Sequence, residues 1–417
     1  MVGFGFSDFE VELQDYEVKK VRKFDRLWKY GPGGSVNHSL FHEGMVYFGA
    51  MDSYVYAVNA ETGKLAWKFR TNDRIMAEPF VWKNVLYIGS YDRYVYALDV
   101  HNGRLIWKFK TGGMIFSTPH IWENLLFIGS QDGFLYCLDV RTGREVWRFK
   151  TGDEVVSSPL AHEGRVYIGS FDGYLYCVDA RTGEEVWRFK TGGEVQSTSI
   201  PIIVNNTIFF GSFDNYFYVV DISSGKEVWR FRTGKYGPTG PPFFHKNVLY
   251  VPTRDGILYA LTLDGKELWR FETGGVIARV SAFDNRIFFG SEDGNFYCLS
   301  LEGKEIWRFR TGGPVYDSQV DPEHARVYFG SWDCHVYCVD GETGEEIWRF
   351  QTSTLQQGYV PPPHESYEVV IKRSAEEGEG EGGEYESVLG REDVEGEYEV
   401  KSEYTFKSEY ETGSEYK

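Results

Sequence analysis

No stretch of this chain approaches 18 consecutive apolar residues, so no helix of it is expected to cross a membrane. The first ten residues, Met-Val-Gly-Phe-Gly-Phe-Ser-Asp-Phe-Glu, lack the basic flank and apolar core of a secretory signal. Cysteine is scarce, with five among 417 residues and no adjacent pair. Cys137, Cys177, Cys298 and Cys338 share one position of a repeat, filled elsewhere by Ala57, Ala97 and Ala260. A position that accepts alanine or cysteine is a small buried slot, not half of a disulfide framework. Cys334 and Cys338 flank His335 as C-x3-C, but no second ligand pair accompanies them, which argues against a metal. A reduced, cytoplasmic protein is expected. Positive charge is also in deficit: the net charge of −18 argues against a nucleic-acid partner, whose phosphates must be neutralised. Few Asn and Gln beside abundant Glu, Lys and Arg suit a heat-adapted, thermostable protein.

What is abundant is periodic. Aromatics make up 17% of the chain, and 47 glycines fall mostly at turns between apolar runs. A tryptophan returns every 38–42 residues at Trp67, Trp107, Trp147, Trp187, Trp229, Trp269, Trp307 and Trp348. Eight near-copies of one unit define a repeat architecture. Residues 155–191 illustrate it. Val155–Leu160, Val166–Ser170, Leu175–Val178 and Val186–Lys190 read as four short strands, separated by His-Glu-Gly, Asp-Gly and Thr-Gly turns. Alternation in the last strand places Trp187 and Phe189 on one face and Val186 and Arg188 on the other. One four-stranded sheet cannot bury both faces, so the copies must stack, with the tryptophans between neighbours. Each indole buries on the order of 150–250 Å² there.

The recurring string Gly-Ser-x-Asp-Gly-x-Leu-Tyr-x-x-Asp-x-x-Thr-Gly-x-x-x-Trp-x-x-x-Thr-Gly resembles the tryptophan-docked repeat of pyrroloquinoline-quinone-like β-propellers. The resemblance covers residues 22–352 and recurs eight times in frame. It implies an all-β propeller of four-stranded antiparallel blades, eight in the first reading and nine in the alternative. Rings of this type are closed by a strand from one terminus, and Trp28, 39 residues before Trp67, marks such an N-terminal strand. Residues 1–21 then form a lead-in, 22–352 the propeller, and 353–417 an acidic extension. That tail holds 17 acids against 6 bases from residue 365 onward. In the nine-blade alternative it contains a worn blade, with Tyr367–Ile371 as a strand. Residues 398–416 alternate as a one-face-buried strand does, whereas Glu376–Glu384 is low-complexity Gly/Glu and expected to be mobile.

In propellers of this family the second hairpin turn and the links between blades share the face beside the channel mouth. On that face the x of Gly-Ser-x-Asp is Met51, Tyr91, Gln131, Phe171, Phe213, Arg254, Glu292 and Trp332. Large apolar residues at turns expected to be exposed suggest a docking face for other proteins, carried by Met51, Tyr91, Arg93, Phe171, Phe213 and Trp332. The links add Arg74, Glu78, Glu154, Glu194, Gln196, Tyr236, Arg279, Tyr316 and Asp317, a channel-mouth set able to hold a small polar ligand. His38, His42, His120, His162 and His245 form no metal spacing and are read as surface or turn residues.

Quinone-dependent dehydrogenases of the superfamily clamp their cofactor with adjacent disulfide-bonded cysteines, a stacking tryptophan and a calcium held by Glu, Asn and Asp. This chain lacks the Cys-Cys pair and the long insertions that enclose that site; beyond Trp28, only Trp82, Trp122 and Trp332 lie outside the eight repeat tryptophans. The first expectation is therefore a non-catalytic, cytoplasmic interaction scaffold without cofactor. The alternative is a ligand- or quinone-binding propeller, with quinone and calcium at the channel. An envelope-assembly scaffold similar to the outer-membrane propeller lipoproteins shares the repeat but needs an export signal and a lipid-attachment cysteine.

Overall fold

A computed structural model of the protein describes residues 34–195, 200–352, 368–371 and 386–389. These residues form strands and turns, with no helix among them. The chain divides into two units, Tyr30–Pro361 and a second made of Met1–Lys29 with Pro362–Lys417. The first holds eight four-stranded antiparallel sheets, each built from strands consecutive in sequence. Blades 1 to 8 span residues 36–70, 80–110, 120–150, 160–190, 202–232, 243–272, 277–310 and 319–351. Each blade thus supplies all four of its own strands, and the Trp28 strand expected to close the ring lies outside the described residues. In the second unit Glu368–Ile371 pairs antiparallel with Glu386–Leu389 as a two-stranded sheet, not as a ninth blade. The alternating segment 398–416 and the Gly/Glu run also fall outside the described residues.

Blade 4 shows why the sequence makes this unit. Its strands are Leu160–His162, Arg165–Gly169, Tyr174–Asp179 and Glu185–Lys190. The innermost is shorter than the apolar run from Val155 suggests. The cause is Ser157, whose hydroxyl accepts from the Gly169 amide (2.9 Å) and donates to its carbonyl (2.6 Å), replacing the backbone ladder. The outer strand carries a bulge: Cys177 faces Trp187 but Val178 faces Glu185, so Val186 has no partner and stands exposed. The same shift recurs in all eight blades. Asp172 clasps the second hairpin. It accepts from the Tyr174 amide, the Tyr176 hydroxyl (2.7 Å) and the Gly152 amide of the preceding link (2.6 Å).

Blades are joined by their indoles. Trp147 donates to the Ala180 carbonyl of the next blade (3.2 Å), Trp187 to Ile222 (3.0 Å), and Trp67, Trp107, Trp229 and Trp269 act alike. Trp348 of blade 8 donates to Ala60 of blade 1 (3.0 Å), which closes the ring. Trp307 keeps the packing against the next hairpin but its Nε1 has no hydrogen-bond partner. The packing needs a bare glycine. Gly183 sits at φ +75 beneath Trp147, and a Cβ there would lie 2.7 Å from the ring. The four repeat cysteines are free and fully buried beside these contacts, and burial raises each thiol to about 12.

Two substitutions separate backbone conformation from docking. Gly44 also has positive φ (+74), but nothing lies within 4 Å of its would-be Cβ. Gly44→Ala is expected to cost only the left-handed penalty, about 1–2 kcal/mol. Gly183→Ala adds the clash with Trp147, about 1–3 kcal/mol more. Urea denaturation of both variants measures the difference, and equal losses would show that the indole does not need the glycine.

Candidate functional site

The eight second-hairpin turns all meet the incoming links through one backbone bond, as from Tyr91 to Arg74 and from Phe171 to Glu154. This puts the turn residues and the channel-mouth residues side by side, as expected. Their exposure is not as expected. Met51, Tyr91 and Trp332 are only 5%, 6% and 4% exposed, and Phe171 and Phe213 are half-buried; Arg93 alone of that set is fully exposed, at φ +73.

The reason is that these side chains lean across blade junctions, each onto a different partner. The Tyr91 ring packs 4.5 Å from Phe116 of blade 3, with the Arg74 guanidinium over it. Gln131 donates to Glu154 (3.2 Å), which leads into blade 4. Phe213 lies beneath the Arg254 guanidinium of blade 6 at 3.1 Å. Burial lowers that guanidinium to about 9, against the opposing pull of Glu194. Glu292 accepts from the Tyr316 hydroxyl (3.0 Å), and the Trp332 indole donates to Asn37 of blade 1 (2.5 Å). Tyr236 is buried, whereas Arg74 and Glu194 are exposed; Gln196 lies outside the described residues.

Three of the channel-mouth residues converge deeper in the channel. Arg279 of blade 7 forms an ion pair with Glu78 of blade 2 and stands 4.0 Å from Asp317 of blade 8. Gln319 donates to Glu78 (3.5 Å). Asp317 is fully buried; its Oδ2 accepts from the amide of Ser39 (2.7 Å) and from the Ser39 hydroxyl, while Oδ1 has no hydrogen-bond partner. Burial raises the Asp317 carboxyl to about 6, with Glu78 adding to the rise and Arg279 and Ser39 opposing it. Burial works against the Arg279 charge, but Glu78 and Asp317 outweigh it and hold the guanidinium above its ordinary value.

His38 belongs to this cluster and not to the surface. Burial, then the Arg279 charge, lowers its imidazole to about 3, so it is neutral near pH 7. Its environment comes from blades distant in sequence, which is why spacing alone missed it. His120 is half-buried; desolvation lowers it to about 4, and its Nδ1 accepts from the Ala161 amide (3.1 Å). His42 and His162 end their innermost strands just before the first turn, 3.9 and 3.8 Å from Glu43 and Glu163.

The donor set does not suit a quinone with calcium. Glu78 and Asp317 already face the Arg279 cation, and the Trp332 indole is buried against Asn37. Among the described residues no three His, Cys, Asp or Glu side chains converge as a metal site, and no helix is long and apolar enough to span a membrane.

Known proteins place this geometry in context. The family described as the β-propeller of the β-alanine-activating enzyme matches over residues 123–375, more than half the chain. The family of the outer membrane protein assembly factor BamB matches over residues 17–117. Among solved structures, BamB from Moraxella catarrhalis superposes with a TM-score of 0.62 at 20% identity, covering 71% of this chain and 91% of that one. The computationally designed protein Ika8 superposes with a TM-score of 0.65 at 18% identity, covering 74% and 96%. At such identities the likeness is one of fold. No curated protein matches the chain in sequence. The pyrroloquinoline-quinone-like propeller repeat is thus present, and an outer membrane protein assembly factor is among the families that match.

The buried carboxyl gives a pH test with a definite sign. Asp317 binds its proton more tightly in the folded chain (about 6) than an ordinary aspartate does (3.8). Its contribution to stability is therefore complete below about pH 4 and lost as pH rises through about 6. Asp317→Asn keeps an acceptor for Ser39 and cannot ionise. Its stability relative to wild type is expected to climb between pH 4 and 7 by on the order of 3 kcal/mol, then level off. Paired denaturation curves across that range measure it; a pH-independent difference would mean the carboxyl titrates normally.

Proposed function

The chain belongs to the β-propeller family of the β-alanine-activating enzyme, and from that premise we propose that it is a non-catalytic, cofactor-free platform that docks a protein partner at its channel mouth. The observation that carries the reading is an apolar arc on three consecutive blades. Met114, at the link into blade 3, is 42% exposed, and Phe171 and Phe213 stand half-buried at the turns of blades 4 and 5. Exposed Glu194 and half-buried Glu154 lie on the same arc, with exposed Arg74 next to it on blade 2. An apolar centre within a charged rim is the composition of a protein-docking patch. Met51, Tyr91 and Trp332, which the sequence also suggested, are spent on packing between blades and are left out of the contact set.

Two further facts support the reading. A matching propeller carries the name of an assembly factor, a protein that acts on other proteins. The five free, buried cysteines suit a reducing compartment, so a cytoplasmic location is part of the proposal.

The double variant Met114→Ser, Phe171→Ser should abolish capture of the partner that wild type retains from its own cell, at a loss of about 1–2 kcal/mol in stability. Affinity capture followed by reconstitution with the identified partner is the measurement. Equal affinity of the two proteins for that partner would rule out the arc as the docking face.

A further inference from the structure

The charged residues of the channel are not spread round the ring. At two successive positions just before their short innermost strands, blades 3, 4 and 6 carry only uncharged residues: Ser117-Thr118, Ser157-Ser158 and Gly240-Pro241. At the equivalent positions blades 7, 8, 1 and 2 carry the ionisable residues Arg279, Asp317, His38 and Glu78, of which His38 is neutral near pH 7. These four blades are centred on the junction between blade 8 and blade 1. Seven junctions are bridged by the chain itself, which runs from each outer strand into the next innermost strand. The eighth is not, and each blade is complete without a strand borrowed from elsewhere.

Hydrogen bonds cross this junction where the chain does not. Ser35 donates to the Trp332 carbonyl (3.3 Å), and Thr352 donates to the Gly34 carbonyl. Tyr56 donates to the Thr352 carbonyl (3.0 Å), Trp332 to Asn37, and Ser39 to Asp317. Inside them, blades 7 and 2 hold the opposite charges Arg279 and Glu78, which meet over blades 8 and 1. Arg279 reaches Asp317 on the way, and Gln319 of blade 8 holds Glu78. The Arg279 side chain is only 23% exposed and the Glu78 side chain 11%, so water screens the pair weakly.

We propose that the Arg279–Glu78 pair, with Asp317, Ser39 and Gln319, is a cross-channel clasp that holds the chain's two propeller ends together as a closed ring. The clasp takes the place of a covalent link at the one junction that has none. Neutralising one partner leaves the other charge buried and uncompensated, a penalty confined to blades 7, 8, 1 and 2. The junction then opens locally before the other seven do.

Native-state hydrogen exchange on the full chain tests this. In Arg279→Met, amides at the edges of blades 8 and 1 should exchange about tenfold faster or more, with blades 4 and 5 changed by less than about twofold. The exchanged pair Arg279→Glu, Glu78→Arg should recover part of the lost protection and not all of it, because the carboxylate placed at 279 stands beside Asp317. Uniform acceleration in all eight blades would overturn the clasp in favour of general destabilisation, and no acceleration would overturn it outright. Should Arg279→Met fail to fold, Glu78→Gln and wild type decide. The variant must open at the 8–1 junction first, whereas in wild type that junction must be as protected as the seven bridged ones. A wild-type junction that opens first would refute the proposal.

Discussion

An indole lying on a bare glycine hairpin is the contact from which the rest of the molecule follows. Each blade presents its tryptophan on the outer strand and its glycine on the last hairpin, so one blade's tryptophan meets the next blade's glycine. The contact is head-to-tail, and the indole N–H, aimed at a carbonyl of the following blade, fixes its direction. Head-to-tail contacts between identical units either spiral without end or close as a ring when the rotation per unit divides the circle. Here eight units close. The loss of the hydrogen bond at Trp307 without loss of the packing shows that burial of the ring, not its N–H, is the indispensable part.

That contact was legible in the sequence because it recurs. Glycine stands four residues before the tryptophan in every copy, and the aspartate of the second hairpin stands 15 residues before it, or 14 in the two copies with the shorter last hairpin. The number of blades was not legible in the same way. The interface between two blades is the same whether eight or nine follow one another, so repetition alone left both rings open. What decides is that residues 36–351 supply eight complete sheets and that Trp348 finds Ala60. Finer misreadings have local causes. The innermost strand of blade 4 is short because a serine side chain substitutes for the ladder, and Val186 turns outward because a bulge removes its partner. His38 looked like a surface residue because the charge that bears on it, Arg279, belongs to blade 7, where no motif or spacing can reach.

The turn residues of the mouth show how near-identical units are kept in order. Tyr91 on Phe116 is aromatic on aromatic, Gln131 on Glu154 amide on carboxylate, and Phe213 under Arg254 ring under cation. Glu292 with Tyr316 and Trp332 with Asn37 add two further chemistries. No two of these five junctions use the same pair. A blade docked beside the wrong neighbour keeps its tryptophan contact but sets a carboxylate against an aromatic, or an amide against a cation. Interchangeable repeats are prone to misassembly of this kind, and differing junction chemistry discriminates against it. This accounts for large apolar residues at turns without any partner, which is why exposure, and not residue type, has to identify a docking face.

The same distinction sorts the variable residues into two groups on opposite sides of the ring. Around the junction of blades 8 and 1 the residues that depart from the repeat are buried or half-buried, ionisable and close to one another. On blades 3 and 4 the equivalent positions keep plain serine and threonine, and departure from the repeat moves outward to Met114, Phe171 and Phe213 at the mouth. A ring closed by its own side chains needs its specificity inside on the side where it closes. The far side, already held by continuous chain, is free to place variation where another molecule can meet it. If closure and docking had competed for the same blades, polar groups needed to hold the ring would face a partner surface that must shed water. Their separation by half a turn removes that conflict, and it makes blades 3 to 5 the side on which a partner can bind without loosening the junction that keeps the propeller shut.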